Sequence, residues 1–332
     1  MAKVVRFHET GGPEVLRLED LEVGEPGPGD VRLRIQAIGL NRAEALFRAG
    51  HYLEVAKLPA RLGYEAAGIV EAVGADVSEV AVGDSVSVVP SFSLNAYGTY
   101  GEQAIVPAYA LARTPPALSP IDASAVWMQY LTAYGALVDI ANLGAGDVVV
   151  IPAASSSVGI AAIQITRMVG ATAVAATRSG AKSDALRKAG ADHVIATDHD
   201  DLAGAVMRIT DGNGARVIFD PVAGPAVEAL AECAARGGII FLYGLLSMRP
   251  TPFPLMAALN KGLTVRGYTL FEIVSDLDRL ARAKSFVYDG LDSGALKPVI
   301  ARTFPLAEIA DAHRFMEAGD QFGKIVVTVE ST

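Results

Sequence analysis

The segment Ala153-Ala154-Ser155-Ser156-Ser157-Val158-Gly159 is the first place in this chain where residue types and spacing could do chemistry. It follows the apolar run Val148-Val149-Val150-Ile151 and precedes a stretch in which Val158, Ala162, Ile165 and Val169 recur at helical spacing. A strand, a tight turn of small residues and a helix N-terminus make a site for a dinucleotide phosphate, because main-chain N–H groups and the helix dipole converge on an anion there. Set on the pattern G-x-G-x-x-G, the glycine positions hold Ala154, Ser156 and Gly159. Only the last, which allows close helix–strand packing, is intact. The plain alternative is a structural strand–helix junction. About 20 residues past such a motif, a site for a free ribose 2′-hydroxyl carries a carboxylate. Here Thr177-Arg178-Ser179 follows, then Lys182. A guanidinium, a hydroxyl and an ammonium suit a 2′-phosphate, unless the segment is only an exposed polar loop. The expected cofactor is NADPH rather than NADH, held by Ser155, Ser156, Ser157, Val158, Gly159, Thr177, Arg178 and Lys182.

The elements that would position these residues follow from pattern. Apolar strands at 148–152, 172–177, 193–196, 217–220, 238–243 and 263–267 alternate with amphipathic helical stretches, the signature of a parallel α/β sheet of Rossmann type. Residues 123–141 lack proline and are compatible with helix. Before them the chain reads as short strands between turns: Val31-Arg32-Leu33-Arg34-Ile35 alternates apolar and polar, and 68–74 and 82–88 repeat the pattern. Lys324-Ile325-Val326-Val327-Thr328-Val329 is a final strand whose natural sheet partner is that N-terminal barrel. The expected domains are 1–121 with 268–332, and an inserted 122–267.

Bulk composition bounds the rest. At 332 residues, 51 % hydrophobic, the chain suits two folded domains rather than disorder. A net charge of −9 gives no overall field for nucleic acid or an anionic membrane, and no apolar run reaches the ~18 residues of a membrane helix. The start has no apolar core of signal-peptide length, so a cytoplasmic address is expected. Cys233 is the one cysteine, which excludes an internal disulfide and a cysteine-based zinc site, and its Ala-rich surroundings suggest burial rather than reactivity. His8, His193, His199 and His313 lack metal-like spacing and read as surface or packing residues.

With these residues in view, the chain resembles the zinc-independent quinone oxidoreductase branch of the medium-chain dehydrogenase/reductase superfamily. The resemblance spans nearly all of it, through Gly39-Leu40-Asn41-Arg42-Ala43-Glu44, Arg48-Ala49-Gly50-His51-Tyr52, Gly63-Tyr64-Glu65-Ala66-Ala67-Gly68, Gly83-Asp84-Ser85-Val86, Lys188-Ala189-Gly190-Ala191-Asp192 and Gly323-Lys324-Ile325-Val326. It implies a GroES-like β-barrel domain built from both chain ends, an inserted doubly wound Rossmann sheet, and a homodimer or tetramer, of which the homodimer is expected. Zinc members place a cysteine and a histidine where this chain has Asn41 and Tyr64, poor zinc ligands, so no metal is expected.

The family pattern further implies that Asn41 and Tyr52 line the nicotinamide and substrate pocket as candidate catalytic contacts. The alternatives are a turn-stabilising side chain for Asn41 and a surface tyrosine for Tyr52. Thr132, Gly244, Phe271 and Lys324 join Asn41 among the candidate cofactor contacts, with core packing the competing reading for Phe271. Two departures stand out: Ser156-Ser157 replaces a usual Gly-Gly, and Thr197 replaces a tyrosine near the adenosine phosphate. The reaction implied is hydride transfer from NADPH to a small-molecule quinone or enone, oriented and hydrogen-bonded by the protein. The alternatives are an enoyl-thioester or alkenal reductase on the same fold, and a non-enzymatic NADPH-binding protein.

Overall fold

The structure, a computed structural model, describes residues 1–330. The chain divides into two units, Met1–Met128 with the segment from Pro298 onward, and Gln129–Lys297.

In the second unit six parallel strands form one sheet: β1 (Val148–Ile151), β2 (Thr172–Thr177), β3 (His193–Ala196), β4 (Ala215–Asp220), β5 (Ala234–Leu242) and β6 (Thr264–Gly267). Their spatial order is β3-β2-β1-β4-β5-β6, the doubly wound arrangement with its switch point beside the first strand. The β-branched run of β1 is buried almost throughout because helices cover both faces of the sheet. β5 begins four residues earlier than its apolar pattern suggests. The stretch Ala234–Gly237 is drawn into the ladder by Ala215↔Ala234 pairing, after which the register shifts.

The first unit carries a sheet ordered Ile300–Pro305, Lys324–Thr328, Asp30–Gly39, Glu65–Val73, Ser85–Val88, Leu111–Arg113, with Gln103–Pro107 also on Asp30–Gly39. The C-terminal strand does pair with the N-terminal barrel, antiparallel, with Val326 opposite Gly39. Gly39 is demanded by packing, since a Cβ there would stand 2.0 Å from the Ser124 carbonyl oxygen.

The second boundary between units falls at 297 rather than 267. The helix Leu277–Asp292 belongs to the Rossmann unit, where the Arg279 guanidinium donates to Asp139 at 2.9 Å through Nε and Phe286 lies 5.0 Å from Tyr134. The first boundary falls at 128 rather than 121. Pro120–Ala123 stays with the barrel because Ala125 is buried there with Ala37 and Val326, and Ile121 packs against them. The helical stretch of 123–141 is likewise broken, into Trp127–Tyr134 and a wider π turn, Gly135–Ile140. Among the described residues no helix is long and apolar enough to cross a membrane.

Candidate functional site

The small-residue turn lies at the carboxyl end of β1, where open α/β sheets bind ligands. Ala153 takes a left-handed φ of +47° to reverse the chain. Ser156 then caps the helix Ser157–Met168, its Oγ accepting from the Gly159 N–H at 3.0 Å. Gly159 must be bare, because a Cβ would lie 2.7 Å from the Ala154 oxygen and 2.8 Å from that of Ala153. Ser156 is thus less an obstruction than the residue that closes the first turn, and its hydroxyl proton remains a donor. The N–H groups of Ser157 and Val158 lie in that first turn, where helix geometry supplies no partner.

Two cations approach the turn's side of the sheet. The Lys182 ammonium donates to Ser155 Oγ at 3.3 Å, so this lysine reaches the serine turn itself. Arg178 follows directly on β2, and its carbonyl receives the Asp198 N–H at 2.9 Å. Thr197 donates through its N–H to the Thr177 oxygen at 2.8 Å, closing the loop after β3 against the end of β2. No carboxylate occurs from Thr177 to Ser183. Main-chain donors at a helix N-terminus, three serine hydroxyls, a guanidinium and an ammonium form a donor set that fits a dinucleotide with an added phosphate.

The other candidates of this unit sit apart in role. Thr132 is buried in the helix Trp127–Tyr134, and Phe271 opens a short helix half-buried. Gly244 is required by the protein's own packing, as a Cβ would meet the Pro221 oxygen at 2.6 Å. Cys233 is buried, and burial pushes its thiol up to about 12, which leaves it inert.

In the barrel unit Asn41, Lys324 and Glu65 meet: the Lys324 ammonium donates to Asn41 Oδ1 and to Glu65 Oε2, each at 2.6 Å. Glu65 Oε1 accepts from the main-chain N–H groups of Trp127 (2.6 Å) and Met128 (3.2 Å). All three side chains are buried. Asn41 Nδ2 donates to the Gly39 oxygen at 3.0 Å and to Glu44 Oε1 at 3.3 Å. Both amide protons are therefore engaged within the unit. Asn41 does stabilise the turn into the helix Arg42–Ala49, as its N-cap, and as a ligand contact it offers its oxygen more readily than its N–H.

Glu44 is the residue that sequence reasoning missed. Its carboxylate also accepts from the N–H of Asn41 (2.7 Å) and Tyr64 (2.8 Å) and from the Tyr100 hydroxyl (2.6 Å). Beyond Tyr100 stand His313 Nε2 at 3.2 Å and, on the other ring nitrogen, the Arg48 guanidinium at 2.7 Å. Arg48 can only donate, so His313 accepts at Nδ1 and donates from Nε2, and the Tyr100 proton points to Glu44. Burial raises the Glu44 carboxyl against these donors and the Lys324 charge. Burial, aided by Arg48, lowers His313 to about 3, so it is neutral. His313 is thus a packed polar residue, not a surface one.

Tyr52 is half-buried at the end of the turn after this helix. Its ring lies 6.4 Å from both Phe47 and Tyr64, and its hydroxyl interacts with that of Tyr64. Burial raises both phenols, keeping them protonated at neutral pH.

Comparison with known proteins agrees with this architecture. Residues 27–116 match the alcohol dehydrogenase GroES-like domain family, and residues 157–283 match the zinc-binding dehydrogenase family. The chain is 32 % identical to a 2-haloacrylate reductase of Burkholderia sp over 98 % of both chains. It is also 32 % identical to a quinone oxidoreductase of Pseudomonas aeruginosa, over 98 % of this chain and 99 % of the other. The crystal structure of Escherichia coli quinone oxidoreductase complexed with NADPH superposes with a TM-score of 0.91 at 28 % identity, covering 98 % of this chain and 99 % of that one.

Proposed function

The chain belongs to the quinone oxidoreductase branch of the medium-chain dehydrogenase/reductase superfamily, and on that premise we propose that it reduces a quinone or a related conjugated carbonyl without a metal. It is an NADPH-dependent oxidoreductase. The observation that carries the reading is the capped serine turn with Lys182 on Ser155, at the switch point of a sheet of Rossmann order. When bound, NADPH supplies the hydride.

The chain's own residues do the rest. The first-turn N–H groups of Ser157 and Val158 and the hydroxyls of Ser155 and Ser156 receive the pyrophosphate; Arg178, Thr177 and Lys182 receive the 2′-phosphate. Lys182, anchored on Ser155, stands where it serves either anion. Asn41, held by Lys324, offers an acceptor oxygen, and Tyr52 offers a phenolic proton to the reduced carbonyl or to its α-carbon. Thr132, Gly244 and Phe271 line the cofactor side of this reading.

The similarity to a 2-haloacrylate reductase favours a second substrate class, an α,β-unsaturated acid or enone, in which hydride reaches the β-carbon. NADPH deuterated at C4, turned over against quinones, enones and enoyl thioesters, separates the two. Quinol formation without stable carbon-bound label supports the quinone; deuterium at the β-carbon assigns the second class, and no turnover with any acceptor overturns the enzyme reading. A homodimer belongs to the same proposal, supported by the sheet-edge position of β6 and by the exposed Phe253, Leu255, Met256 and Leu259. So does a cytoplasmic address, for which the free thiol of Cys233 is the support.

A further inference from the structure

The turn that carries Tyr52 continues with Leu53 and Val55 pointing outward, 73 % and 87 % exposed. Apolar burial therefore does not hold it. Polar groups do. Glu54, between those two residues, accepts from Ser93 Oγ at 2.5 Å, from the Leu94 N–H at 3.0 Å and from Asn95 Nδ2 at 3.1 Å, so both carboxylate oxygens are engaged. Asn95 completes the clamp, donating to the Val55 oxygen at 2.9 Å and accepting from the Lys57 N–H at 2.8 Å. Ser93 Oγ in turn accepts from the Asn95 N–H at 3.0 Å. The same two turns meet on the inner side through rings: Tyr52 against Tyr64, Tyr64 against Phe92 at 5.9 Å, and Phe92 against Tyr97 at 5.6 Å.

We propose that Glu54 is the positioning residue for Tyr52, its carboxylate locking the 52–57 turn onto the 93–97 turn so that the phenol is held in one place. This rests on the reading of Tyr52 as the contact to the reacting carbonyl. A donor that must meet a substrate atom within hydrogen-bond reach cannot ride on a turn with free backbone motion, and an ångström of displacement costs about 100-fold in rate. Glu54 also acts by charge. The titratable groups that act on the Tyr52 phenol are Tyr64, Glu54 and Glu44, and both carboxylates favour the protonated phenol.

The test uses the full chain, with Glu54→Ala, Glu54→Gln and Tyr52→Phe, tyrosine labelled with ¹³C at Cζ, and 1,4-benzoquinone as acceptor. Glu54→Ala is expected to lower kcat about tenfold or more, with KM changed far less and the Kd for NADPH unchanged, and to shift or broaden the Tyr52 resonance in the apoprotein. In Glu54→Gln the lost charge lets the Tyr52 phenol titrate at lower pH, so the alkaline limb of kcat moves to lower pH. Wild-type kcat and an unmoved Tyr52 resonance in Glu54→Ala overturn the proposal, as does a lowered melting temperature with kcat retained. If Tyr52→Phe keeps wild-type kcat, the reading of Tyr52 fails instead; the resonance in Glu54→Ala then still decides whether the clamp fixes the ring.

Discussion

The two regions that carry the candidate residues solve opposite problems with similar groups. In the barrel unit the charges are closed upon one another: Lys324 lies between Asn41 and Glu65, and Arg48 feeds a chain through His313 and Tyr100 to Glu44. Every one of these side chains is buried, and nearly every donor has a partner. At the serine turn of the Rossmann unit the cations and hydroxyls are half-buried or exposed, and the hydrogen bond from Lys182 to Ser155, at 3.3 Å, is long and replaceable. One region uses charge to fix a shape. The other leaves its cations and hydroxyls half-buried or exposed, as the proposed phosphate site requires. Substitutions should therefore separate cleanly, with stability lost in the first and affinity in the second.

The largest effect is expected from Lys324→Met, which leaves Glu65 buried without its cation and costs about 3–5 kcal/mol. Denaturant unfolding measures it, and Lys324→Met combined with Glu65→Gln should recover a substantial part. A loss below about 1 kcal/mol, the range of an exposed pair, would erase the contrast between the regions.

His313 sharpens the contrast through pH. Its folded pKa, about 3, lies below the ordinary 6.5, so the unfolded chain takes up a proton that the folded chain refuses. Its contribution is complete above pH 6.5 and falls as pH drops toward 3. By pH 4 the loss should be roughly 3 kcal/mol. His313→Gln should flatten unfolding stability across pH 6.5 to 4; an unchanged slope would mean that the histidine is already charged in the fold.

The two regions also differ in how far the sequence discloses them. Every strand around the serine turn is a short local run whose apolar pattern marks it within a few residues, and the capping serine stands two residues from the apolar helix face. The extra residues at the start of β5 escape notice because the one pairing that draws them in, Ala215↔Ala234, is set by position in the sheet rather than by an apolar run. The barrel's network is non-local: Lys324 meets Asn41 across 283 residues, and Arg48 meets His313 across 265. Glu44 and Glu54 look like ordinary surface carboxylates in sequence, since nothing in their neighbours announces four donors for one and three for the other. The Asn41 position was legible, but not the orientation of its amide, which Lys324 decides from the far end of the chain.

The smallest effect in free energy is also the most direct test, because it concerns the proposed phosphate site alone. Equilibrium binding of NADPH and NADH to the wild type and to Arg178→Ala, followed by nicotinamide fluorescence, asks whether the serine turn and Arg178 hold a 2′-phosphorylated dinucleotide. The wild type should prefer NADPH, and the variant should lose about 10-fold or more of that preference, the worth of a charge-assisted hydrogen bond, while its melting temperature stays in place. A preference that survives Arg178→Ala undiminished, or a wild type that binds neither nucleotide, would contradict it.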